Sequence, residues 1–273
     1  MRPPLFIGVA VPLCDFAEAV YRGDDDMIIH SYENGLRADA CIEYLRGAPS
    51  ANFYENIILL PIPSSRDDKT ILNTKVCINE LIDALDGGTA VSGYGLPDSF
   101  VEAGRDKGAL IIDLSYDEQF LLENAELTAL AALGIYLGST KCSLRDTSVG
   151  IVGYGRIGKK LTAMLLYLGA DVKVFTSREN MRLDLCECGV ATAKSSKDAD
   201  LCGLDVLINT APAVIFAPDA IPDGLRIIDL ASGDNFPGMS GVEKYPSIPA
   251  KMFPKSAGRA WGRAVERYLS KKQ

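Results

Sequence analysis

A β-branched run, Val149, Ile151 and Val152, leads directly into Gly153-Tyr154-Gly155-Arg156-Ile157-Gly158, and Leu161, Leu165, Leu166 and Leu168 follow at helical spacing up to Gly169. Val172-Lys173-Val174-Phe175 then reads as a second strand. Three glycines at this spacing between a strand and a helix form the dinucleotide fingerprint, and each has a steric reason. Gly153 lets the strand turn sharply. Gly155 lacks the Cβ that would hold a pyrophosphate off the backbone, and Gly158 lets the helix pack against the strand. The amides at the helix start add partial positive charge for phosphates.

The tip of the second strand sets the cofactor expectation. An NAD-selective fold places an acid about 20 residues beyond the loop to hold the ribose 2′-hydroxyl. Here the tip is Thr176-Ser177-Arg178, two hydroxyls and a guanidinium, which suit a 2′-phosphate that an acid would repel. NADP(H) is therefore expected over NAD(H), unless Arg178 is a solvated residue opening the next helix. Further strands are read at Val190–Ala193, Asp205–Thr210 and Leu225–Leu230, with a helix from Met181 to Cys188 and an edge strand at Tyr245–Ile248. In a doubly wound sheet the carboxyl ends of such strands line the cofactor crevice, which places Thr210, Ala211, Pro212, Asp229 and Ser232 there.

Upstream, strands are expected at Leu5–Val11, Met27–His30 (an edge strand), Asn56–Leu60, Thr89–Ser92 and Leu110–Leu114. Helices are expected at Phe16–Tyr21, Ala38–Leu45 and Ile78–Leu85. This alternation predicts a smaller parallel layer. Ser115-Tyr116-Asp117-Glu118 has the capping-box pattern and opens a long helix to Leu137. The fold class is thus α/β: two α/β domains, the second a Rossmann-type doubly wound parallel sheet, linked by a long crossover helix, with the C-terminal helix packing back toward the first. The expected divisions are 1–116, a linker at 117–142, the dinucleotide domain at 143–254 and the terminal helix at 255–273. On that helix Trp261, Ala264, Val265 and Leu269 share one side, and Arg259, Arg263 and Arg267 form a stripe read as a solvated face.

Charge narrows the partners. With 28 Lys and Arg against 36 Asp and Glu the formal net charge is −8, which disfavours nucleic acid or an anionic membrane surface. The apolar stretch near the N-terminus is short and interrupted by proline, and no apolar run of about 18 residues is expected after it, so a cytoplasmic protein is expected. Seven cysteines are scattered and odd in number, and are expected to be reduced and mostly buried, with no metal site. His30, the chain's single histidine, is read as structural or exposed.

From Asn124 onward the chain resembles the A component of dipicolinate synthase, an NADP-linked protein of spore-forming bacteria. The resemblance rests on Asn124-Ala125 and Thr128-Ala129, the glycine loop, Asn209-Thr210-Ala211-Pro212, Asp229-Leu230-Ala231-Ser232 and Pro254-Lys255-Ser256-Ala257-Gly258. It implies an N-terminal α/β domain beside a Rossmann domain. It also implies a role in sporulation, a flavoprotein partner subunit, and a cyclic dicarboxylate substrate, bound between the domains and converted to pyridine-2,6-dicarboxylate. Two stretches depart from the family's pattern. Val9-Ala10-Val11-Pro12-Leu13-Cys14 stands where the family has a Gly-Gly-Asp turn and an arginine, and Leu130-Ala131 follows Thr128-Ala129 where the family carries Ala-Glu-Gly. Both lie on the substrate side, so cofactor binding carries over further than substrate identity.

Candidate catalytic residues are Lys255 and Ser256, as anion donors at a helix start, and Asn124 and Thr128 on the crossover helix. Ser64 or Ser65 is a candidate donor for the far end of the acid. The expected activity is that of an NADP(H)-linked oxidoreductase acting on a small carboxylate, in a homo-oligomer. Two alternatives stay open. One is a non-catalytic NADP-binding partner or regulatory paralogue. The other is a D-2-hydroxyacid dehydrogenase-like or adenosylhomocysteinase-like enzyme, disfavoured because the hydroxyacid enzymes use a late histidine as acid and base, and none follows His30.

Overall fold

The computed structural model describes residues 19–22, 27–197 and 199–272. The strand expected at Leu5–Val11 and the departure at Val9–Cys14 lie outside them. The chain divides into two compact units, Met1–Leu121 with Pro254–Gln273, and Leu122–Phe253.

In the first unit, β1 (Ala19–Arg22) and β2 (Ile28–Ser31) precede α1 (Leu36–Arg46), β3 (Asn56–Leu59), a 3-10 segment (Ile78–Ala84), β4 (Thr89–Gly93), α2 (Asp98–Asp106) and β5 (Leu110–Asp113). The sheet order is β1-β2-β3-β4-β5, with β1 antiparallel to β2 and the others parallel. A helix was expected over Phe16–Tyr21, but Ala19–Arg22 is a strand. A helix that short is marginal by itself, whereas a ladder along β2 pairs the backbone groups that face it. That strand takes the edge position expected for Met27–His30, so β2 lies inside the sheet.

Alternation along β3 puts Ile57 and Leu59 into one core with Cys41, Leu45 and Trp261, and Ile58 and Leu60 into the other with Phe100 and Leu81. The C-terminal helix α7 (Pro254–Leu269) completes this unit by lying on α1. A Cβ at Gly258 would stand 2.2 Å from the Arg37 carbonyl oxygen, and one at Gly262 2.7 Å from the Tyr44 ring, so the two glycines set how closely the helices approach. Trp261, fully buried, donates its indole N–H to Ser92 Oγ at 2.9 Å. The basic stripe is not all solvated: Arg267 bonds buried Asp117 at 2.7 Å, while Arg259 is exposed.

The helix α3 (Glu118–Leu137) begins at the boundary of the units. Its cap is Asp117, whose carboxylate accepts from Phe120 N at 2.7 Å, rather than Ser115, which sits in a 3-10 turn donating its own amide to Asp113. Contrary to expectation, α3 is long and apolar enough to cross a membrane by length and composition, the one such helix among the described residues. Ala129, Ala131, Ala132 and Leu133 lie in the core of the second unit, so a helix with so little polar surface has a packing reason.

The second unit runs through β6 (Ser148–Val152), α4 (Arg156–Tyr167), β7 (Asp171–Phe175), α5 (Glu179–Glu187), β8 (Ala191–Ala193), β9 (Val206–Asn209), β10 (Arg226–Asp229), β11 (Val242–Lys244) and a short helix α6 (Ile248–Met252). All strands are parallel in the order β11-β10-β9-β6-β7-β8, the Rossmann arrangement, whose order reverses between β6 and β9. Val149, Ile151, Val174 and Ile208 face one core, while Val152, Phe175 and Leu207 face the other. The last strand falls before the expected Tyr245–Ile248. Pro246 offers no ladder donor and Ser247 adopts φ 54°, so the chain leaves the sheet there.

Candidate dinucleotide site

The glycine loop lies at the carboxyl end of β6, where the strand order reverses. Gly153 has φ 88°, and its amide donates to the Phe175 carbonyl at 2.8 Å, so the turn is tied to the neighbouring strand as it forms. A Cβ at Gly158 would stand 2.1 Å from the Gly153 carbonyl oxygen, whereas one at Gly155 would meet nothing within 4 Å. Two glycines are thus required by the protein itself. The third faces open space at the start of α4, where Gly155 supplies no side-chain cap to the first turn.

The surrounding residues fix this loop. Thr210 donates its hydroxyl to the Val152 carbonyl at 2.8 Å, holding the end of β9 against the turn. Asn209 and Asp229, both buried, join at 2.8 Å, and Asn235 Nδ2 reaches the Asp229 carboxylate at 3.1 Å. Asn209 Oδ1 accepts from Ala211 N, Asp229 also accepts from Ala231 N, and the Ser232 carbonyl accepts from Asn235. Asp229 therefore locks two crevice loops together, leaving Pro212 and Ser232 exposed. Asn235 was missed in the sequence because a loop asparagine carries no periodic signal.

Tyr154 is half-buried, with the Lys159 ammonium 5.7 Å from its ring centre, and burial followed by the nearby Cys188 and Asp184 pushes its phenol up. Arg156 and Ile157 open α4, the first exposed and the second half-buried. At the tip of β7, Thr176 is buried while Ser177 and Arg178 are exposed. The Thr176 hydroxyl accepts from Arg178 N at 3.3 Å and its carbonyl accepts from Arg182 at 2.9 Å. Arg178 caps α5 by position but makes no side-chain cap bond.

The expected catalytic residues divide between the units. Asn124 and Thr128 belong to the second, where buried Thr128 donates its hydroxyl to the Asn124 carbonyl at 2.7 Å. Lys255 and Ser256 belong to the first, exposed in the opening turn of α7. Ser64 and Ser65 do not fit the donor role expected of them. Ser64 is fully buried, donating to the Pro61 carbonyl and accepting from Tyr94 N, and Ser65 donates to Asp67. His30 is buried in β2 with Nε2 3.1 Å from Asn56 Oδ1, and desolvation lowers its pKa.

The cysteines correct another expectation. Among the described residues Cys41 is buried, while Cys142, Cys186, Cys188 and Cys202 are exposed. No group of three or more His, Cys, Asp or Glu among the described residues is placed to hold a metal ion.

No family profile matches the chain. It is similar to the A component of dipicolinate synthase of Bacillus subtilis (strain 168), 25% identical over 240 residues that cover 79% of this chain and 78% of that one. The crystal structure of the same component from Bacillus halodurans superposes with a TM-score of 0.64 at 23% identity, over 78% of this chain and 79% of that one. The corresponding crystal structure from Bacillus subtilis gives 0.69 at 17% identity, covering 89% and 94%. The resemblance read from the motifs is therefore present in sequence and in fold, at the distance of a divergent relative.

Proposed function

We propose that the chain is an NADP(H)-dependent oxidoreductase resembling the A component of dipicolinate synthase and taking a small cyclic dicarboxylate. The observation that carries the proposal is the pairing of two sterically required glycines, Gly153 and Gly158, with an open Gly155 at the reversal point of a parallel sheet. The residues present fit a dinucleotide. Gly155 and the first amides of α4 would hold the pyrophosphate, and Ser177 and Arg178 would hold a ribose 2′-phosphate. Hydride transfer is the chemistry such a cofactor supplies.

NADP(H) is favoured over NAD(H) because the tip Thr176–Arg178 carries no acid, the first one, Glu179, falling inside α5. The substrate class is carried by similarity to dipicolinate synthase, and Lys255 and Ser256 are the proposed carboxylate donors. A separate flavoprotein partner, implied by the family resemblance of the motifs, is part of the same proposal.

Thermal-shift and calorimetric titration with NADP+ and pyridine-2,6-dicarboxylate test both halves. The reading expects each to bind, and Lys255→Ala to weaken the acid without altering NADP+ affinity. Binding of NADP+ with no small acid bound and no hydride transfer to a cyclic dicarboxylate would select the non-catalytic partner instead.

A further inference from the structure

The ladder between β7 and β8 does not stop where the strands do. Thr176 N donates to the Ala193 carbonyl at 3.1 Å, and Ser195 N donates to the Thr176 carbonyl at 3.4 Å. Those two bonds are the parallel pairing of Thr176 with Lys194, one step beyond the Phe175–Ala193 pair. Paired residues of neighbouring strands stand about 5 Å apart with side chains on the same face. Two steps earlier on that face, Thr192 Oγ1 meets Cys186 Sγ of α5 at 3.2 Å, so this face of β8 looks toward α5, the helix that Arg178 precedes.

The topology thus brings a second cation to the tip of β7. Arg178 and Lys194 are both exposed and, among the described residues, neither side chain has a hydrogen-bond or ion-pair partner. We infer that Lys194 is a second specificity-determining residue, which with Arg178 and Ser177 receives the 2′-phosphate of NADP(H). This rests on the NADP(H) reading above. An ammonium serves here as a point charge that needs less directional precision than a guanidinium, which suits a residue on the adjoining strand. Sequence spacing hides the residue, because 18 positions along the chain separate Thr176 from Lys194.

The test is titration of unmodified protein, Lys194→Ala, Arg178→Ala and Lys197→Ala with NADP+, NAD+ and adenosine 2′,5′-bisphosphate. Lys197 is also exposed and controls for loss of one positive charge. Lys194→Ala is expected to weaken NADP+ and the bisphosphate about 10-fold, the scale of one hydrogen bond to a charged group, and to leave NAD+ unchanged. An unchanged NADP+ affinity in Lys194→Ala, with a loss in Arg178→Ala, overturns this inference while the NADP(H) reading stands. An equal loss in Lys197→Ala overturns it in favour of a general charge effect. Unmodified protein that binds NAD+ as tightly as NADP+ overturns the cofactor reading itself.

Discussion

A Cβ at position 158 would lie 2.1 Å from the carbonyl oxygen of Gly153, so these two glycines are in backbone contact across the turn. Side-chain Cβ atoms do not approach carbonyl oxygens that closely, and Gly158→Ala must therefore push α4 off β6. The variant is expected to unfold at lower denaturant than the unmodified protein. A midpoint equal to that of the unmodified protein would mean that the loop yields without cost.

Arg178→Ala addresses the cofactor preference. Loss of a hydrogen bond to a charged group is worth about 1.5–3 kcal/mol, so the ratio of NADP+ to NAD+ affinity should fall by about 10-fold or more. Calorimetric dissociation constants for the two cofactors measure it. A ratio unmoved by the substitution would place the 2′-phosphate elsewhere.

Asp229→Ala would remove the buried carboxylate to which the Asn209 and Asn235 amides both donate, leaving each amide only its backbone acceptor, the Ala211 and Ser232 carbonyls. An unsatisfied buried polar group costs about 1–3 kcal/mol, read as a lowered urea midpoint at constant slope. Dinucleotide binding should weaken as well, because the loops beginning at Thr210 and Ala231 lose their common tie.

The pH dependence follows from Glu243. Its carboxyl is held below the usual range first by the hydrogen-bonded Arg226 fork, with the Tyr245 hydroxyl adding to it against the opposing effect of burial. A carboxyl depressed in the folded state contributes stability that is present above the ordinary value of about 4.3, and is lost as pH falls through the lower folded value. The difference in Tm between unmodified protein and Glu243→Gln should therefore be steady near neutrality and shrink on acidification below that value. A difference that grows in acid would reverse the sign of the account. The pair is partly exposed, so its size should also fall with salt.

These sites differ in how far they were legible in the sequence. The loop at Gly153–Gly158 was readable because each glycine answers a local steric demand, and β6 and β7 because their apolar runs are dense. Elements defined by distant partners were not. Gly258 reads as part of a motif on the substrate side, yet its missing Cβ is required by the Arg37 carbonyl on a helix more than 200 residues earlier in the chain. Arg267 reads as part of a solvated stripe until Asp117, which also caps α3, is placed beside it. Likewise Ser64 looks like an available hydroxyl until Pro61 and Tyr94 are found to use it.

The central claim, that a nicotinamide dinucleotide lies on this loop, is tested most directly by titrating Gly155→Val with NADP+ beside the unmodified protein. Gly155 has φ −85°, which valine tolerates, and an added Cβ meets no protein atom within 4 Å. The account predicts an unchanged Tm and circular dichroism spectrum, saturable NADP+ binding by the unmodified protein, and loss of binding by the variant. Undiminished binding by a folded Gly155→Val protein, or none by the unmodified one, would contradict it.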